Sequence, residues 1–100
     1  MTLEEFKELT EQQKCPESLP RRLQAMWHLK KGNWDTAHEL VQDASDADSA
    51  WIHAYLHREE GDEINARYWY KRGEQPESHL PLAQEWEQIA SVLLMKEGKT

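Results

Sequence analysis

Apolar residues recur along this chain at three- and four-residue spacing, the period of one face of a helix. Six segments carry the pattern. Leu3, Phe6 and Leu9 open it, and Thr2 with Glu5 has the spacing of a capping box, so a first helix is expected from Leu3 to about Lys14, ended by Pro16. A second begins near Pro20, carries Leu23, Ala25, Met26, Trp27 and Leu29, and stops at Gly32. A third runs from about Trp34 to Ala44, with Ala37, Leu40, Val41 and Ala44 on one stripe and Asn33 or Asp35 available as its cap. A fourth spans about Ser49 to Glu60 and a fifth about Glu63 to Arg72, ended by Gly61 and Gly73. After an irregular stretch with two prolines, Leu82, Trp86, Ile89, Ala90, Leu93 and Leu94 mark a sixth helix to about Lys96, closed by Gly98. No stretch alternates apolar and polar residues as a half-buried strand does. The expected class is all-α, with residues 1–100 as a single helical-repeat domain.

The middle four helices repeat. Gly32 and Gly61 lie 29 residues apart, and Ala25, His28, Gly32 and Ala37 recur in register as Ala54, His57, Gly61 and Ala66. Small residues on the first helix of each unit, a glycine at the turn, an aromatic two residues on (Trp34) and a small residue opening the second helix resemble the tetratricopeptide pattern. The period is shorter than the family's, which is about 34, and Glu63 stands where Trp34 would recur. The resemblance implies two helix–turn–helix units, over roughly residues 18–76, flanked by N- and C-terminal capping helices. More locally, Trp51-Ile52-His53-Ala54-Tyr55-Leu56-His57-Arg58-Glu59-Glu60-Gly61-Asp62, continued by Asn65-Ala66-Arg67-Tyr68-Trp69-Tyr70, is similar to a group of small uncharacterised bacterial proteins. Stacked units need their ends covered. Phe6, Leu9, Trp86, Ile89 and Leu93 are expected to close the two ends of the stack; otherwise one end pairs with a second copy of the chain.

Composition narrows the function. At 100 residues the core is small, but five Trp and three Tyr add bulk that aliphatic counting misses. The formal charge of −7 argues against a nucleic-acid backbone or an anionic membrane surface as partner. Cys15 is the only cysteine, which fits a reducing compartment, and the acidic start, Met1 to Phe6, lacks the apolar core of a signal peptide, so a cytoplasmic location is expected. No segment approaches the roughly 18 apolar residues of a membrane helix.

Little in the chain points to catalysis. There is no nucleophile elbow, phosphate loop, paired cysteines or hydride-cofactor fingerprint, so no cofactor is expected and an enzyme is the less favoured reading. Asp43, Asp46 and Asp48 suggest a calcium loop, but Ala50 and Trp51 occupy positions that need a ligand and a glycine, and helix capping explains the acids better. The bases and aromatics from Arg67 to Arg72 are spread around a helix circumference, as core plus solvated face. His53 and His57, four residues apart, share a helix face and would hold zinc or nickel if Asp62, Asn65, Glu63 or His28 supplied a third ligand. The competing reading has them packing between helices.

Carried over by position, the tetratricopeptide resemblance places Arg22, Met26, Lys30, Trp51, Tyr55, Arg58 and Glu59 on a concave surface suited to a peptide or chain terminus. The same groove would be filled if the end helices folded into it. The leading expectation is therefore a small interaction module that binds a protein or peptide, or self-associates as a homodimer. The alternative is a metal- or small-ligand site around His53 and His57, an enzymatic one included.

Overall fold

A computed structural model describes residues 1–97. Six helices and no strand occur among the described residues: α1 (Leu3–Leu9), α2 (Arg21–Lys30), α3 (Trp34–Val41), α4 (Ala47–Glu59), α5 (Glu63–Arg72) and α6 (Leu82–Glu97). The all-α reading holds. None of these helices is long and apolar enough to cross a membrane. The expected closure of α6 by Gly98 lies outside the described residues.

Local chemistry explains most helix ends. Thr2 and Glu5 form the capping box of α1, each side chain bonding the other's backbone N–H. Asp46 caps α4 and Asp62 caps α5, each accepting from a backbone N–H three residues on. The two hairpin turns are built alike. Gly32 and Gly61 adopt φ of 80° and 86°, a region that only glycine enters without strain. In both turns the next residue's N–H reaches back five positions, Asn33 to His28 O and Asp62 to His57 O, each at 2.8 Å.

Two helices end earlier than the pattern predicts. α1 stops at Leu9 rather than Lys14, because the Thr10 hydroxyl donates to Lys7 O and the Trp27 indole N–H donates to Leu9 O, so both carbonyls are engaged outside a continuing helix. α3 stops at Val41 rather than Ala44, where Arg21 Nε donates to Leu40 O and the chain turns. α4 starts two residues earlier than expected, at Ala47, since Asp46 rather than a later residue serves as its cap.

α2 packs on α3 and α4 on α5, and α2 and α3 both lean on α4. α6 then crosses α2 and α4, and α1 lies against α6. The terminal helices therefore do not close opposite ends of a stack. They meet each other, with Phe6 stacked on Trp86 at 5.8 Å. The physical reason is the apolar surface of α2 and α4, which two hairpins alone leave wet. Three indoles tie the elements together: Trp27 to Leu9 O, Trp34 to Leu56 O and Trp86 to Met26 O, at 2.8, 2.8 and 3.0 Å.

Gly73 marks the closest approach of two helices. Its φ of −82° suits any residue, but a Cβ there would sit 2.9 Å from Trp51 N and 3.0 Å from Ala47 O, both backbone atoms that cannot swing away. Gly73→Ala is expected to destabilise the fold by about 1–3 kcal/mol through overpacking. Denaturant unfolding measures this, and a loss below about 0.5 kcal/mol would mean the helices separate freely.

Candidate functional site

Three helices deliver the side chains of one polar cluster. α4 presents His53 and His57 one turn apart, as their spacing predicts, with rings 4.8 Å apart. α3 brings His38, which the sequence reading did not include. Its Nε2 lies 3.1 Å from His53 Nε2. One ligand-capable atom from each of the three histidines lies within 4.8 Å of those of the other two. The walls are aromatic. Trp34 stacks on His38 at 4.9 Å, and Trp69 of α5 stacks on His53 at 3.8 Å. His53 is buried, while His38 and His57 are half-buried and open the cluster to water.

Of the expected third ligands, none joins this group. His28 instead sits 3.1 Å from Asn33 Nδ2, and Asn65 bonds Asp62. Glu63 lines a cavity beside Arg58. Asp62 belongs to a neighbouring group with His57 and Glu60, whose carboxylate lies 2.6 Å from His57 Nδ1. Trp34 and His38, one turn apart on α3, share a face, but nothing local in the sequence shows that this face meets α4.

Hydrogen bonding by itself leaves the cluster incomplete. Two neutral imidazoles 3.1 Å apart share one proton between their Nε2 atoms. His53 Nδ1, buried, then has no partner. One separation in the cluster is also that of two ligand nitrogens on a single ion. Metal–nitrogen bonds of about 2.0–2.1 Å in a tetrahedron put neighbouring ligand nitrogens about 3.3 Å apart, close to the 3.1 Å between the Nε2 atoms of His38 and His53. Coordination through Nε2 moves the His53 proton to Nδ1, a buried donor without an acceptor. That costs about 1–3 kcal/mol.

Burial, then the proximity of His38 and His57, push His53 down from 6.5 to about 4. This has a consequence for the metal-free protein. The unfolded chain takes up a proton near pH 6.5 and the folded one only near 4, so the stabilisation is complete above 6.5 and lost as pH falls across that window. Between pH 7 and 5 the loss expected is about 2 kcal/mol. Unfolding titrations at both pH values, in the wild type and in His53→Gln, check it: the two proteins should differ in slope, and equal slopes would remove His53 as the cause.

The residues expected on a concave partner surface are placed differently from one another. Met26, Trp51 and Tyr55 are at most 4% exposed, and α6 packs on the helices that carry them. Arg22 pairs with Asp46 at 3.1 Å, Lys30 sits over the Trp86 ring, and Glu59 is exposed. Arg58 reaches inward. Its Nη1 donates to Glu85 Oε1 at 2.8 Å and its Nη2 to Leu80 O. Glu85, fully buried, also accepts from the Tyr70 hydroxyl at 2.6 Å. Burial, with the Glu85 carboxylate beside it, raises the Tyr70 phenol well above its ordinary range. This network fastens the segment before α6 onto α4 and α5. Comparison with known proteins finds no family model, no curated protein and no solved structure that matches the chain.

Proposed function

We propose that this chain binds a divalent transition-metal ion through His38, His53 and His57, on a frame of two tetratricopeptide-like hairpins braced by α6. The observation that carries the proposal is the convergence of three imidazoles from two helices, two of them at the spacing of nitrogens on one ion. An all-nitrogen set of intermediate softness favours zinc, copper, nickel or cobalt over calcium or magnesium, which take oxygen ligands. With three protein ligands, a fourth position remains for water or another group. A peptide-docking groove of the kind expected from the sequence would first require α6 to leave the face it covers.

Calorimetric titration of chelator-treated protein with zinc, copper(II) and magnesium tests the proposal. Zinc and copper are expected to bind with a stoichiometry of one, and magnesium not at all. His38→Ala, at a half-buried position, should weaken zinc binding at least ten-fold while keeping the helical circular dichroism spectrum, as loss of one ligand of three requires. Absence of zinc and copper binding, or equal binding after His38→Ala, would overturn it.

A further inference from the structure

We propose that Glu60 and Asp62, with Nδ1 of His57, form the entry site through which the ion reaches the three-histidine cluster. The inference rests on the metal reading above and extends it to the route of loading. His57 belongs to two ligand groups, the inner one with His38 and His53, and an outer one with Glu60 and Asp62 whose ligand atoms lie within 4.8 Å of one another. The outer pair flanks the Gly61 turn. Glu60 is exposed and Asp62 half-buried, so a hydrated cation meets them before it meets buried His53.

One ring serves both groups in turn. A neutral imidazole has a single lone pair, on Nδ1 or on Nε2. With the proton on Nε2, Nδ1 is a ligand for the outer group. When the proton is on Nδ1, that N–H donates to Glu60 across 2.6 Å, and the lone pair is on Nε2. The handover moves one proton from one ring nitrogen to the other through water and leaves the ring neutral throughout, so charge balances. The C-terminal end of α4 adds partial negative charge at the turn and the N-terminal end of α5 opposes it, so the two carboxylates set the attraction. Asp62 also accepts from Asn65 N and Nδ2, at 3.2 and 2.7 Å, which holds it in place as the cap of α5.

Stopped-flow fluorescence with copper(II) alone tests the route, because Trp69 lies on His53 and its emission should be quenched on loading. The variant is Glu60→Gln with Asp62→Asn. Glutamine still accepts from His57, and asparagine is an equally good helix cap, so only charge and ligation are lost. Association is expected to slow roughly ten-fold, more than dissociation changes, as loss of an attracting way-station requires. A control with equal loss of charge, Glu4→Gln with Glu8→Gln on α1, should leave both rates as they are. Weaker binding at an unchanged association rate would show that the carboxylates only orient His57, and unchanged rates would remove the entry site; either result overturns the inference while leaving the three-histidine site standing. Failure of the wild-type protein to bind copper would instead sink the underlying metal reading.

Discussion

Replacing Glu85 with alanine is expected to lower the unfolding free energy by about 3–5 kcal/mol, the cost of stranding one half of a buried ion pair. A domain of this length holds about 5–15 kcal/mol in all, so the loss is severe. Glu85 is fully buried and receives two donors, Arg58 Nη1 and the Tyr70 hydroxyl. Alanine leaves both without an acceptor. Arg58 is 21% exposed in its side chain and recovers part of its hydration, which argues for the lower half of the range. The conservative Glu85→Gln keeps an acceptor for one donor and should cost less. The double variant Glu85→Leu with Arg58→Met removes charge on both sides and should recover part of the loss, because the expense lies in an unpaired charge rather than in a missing bond. Urea unfolding of the three variants decides the matter. A loss under about 1 kcal/mol for Glu85→Ala would show that the pair does not clamp the segment before α6.

Zinc at a hundred times its dissociation constant should raise the melting temperature by roughly 10–20 °C. The linkage is simple: a ligand that binds only the folded state adds about 2.7 kcal/mol at that concentration, and each kcal/mol moves the midpoint of a domain this size by roughly 4–8 °C. The rise should shrink as pH falls, because protons compete with the ion for the imidazoles. Magnesium should give no rise, and His38→Ala should remove most of it. Differential scanning calorimetry with chelator-treated protein reads all four cases. A midpoint that does not respond to zinc at pH 7.5 contradicts the site outright.

How much of this was legible beforehand differs from residue to residue. Gly32, Gly61 and the Thr2–Glu5 pair announce turns and caps by short-range chemistry, and the structure places them as read. α5 begins and ends at the expected residues because a cap and a glycine bracket it. Thr10 was missed as an end for α1, since the bond that helps end the helix comes from Trp27, in another element. His53 and His57 were visible as a pair through helical spacing. His38 was not, because which face of α3 meets α4 depends on packing that no local pattern encodes. Glu85 carried no warning at all: an acidic residue near the start of a helix ordinarily faces water, and only the arrival of Arg58 and Tyr70 makes its burial tolerable.

The amino-acid sequence by itself determined that this chain is helical, roughly where each helix starts and stops, and which residues on a given helix stand side by side. Those properties depend on contacts within four or five positions, where chain geometry leaves little choice. Only the tertiary structure decided that Met26, Trp51 and Tyr55 are buried, and that a third histidine joins the pair on α4. Those outcomes turn on how separate apolar faces share their burial, a competition among distant elements that is settled by the whole chain at once.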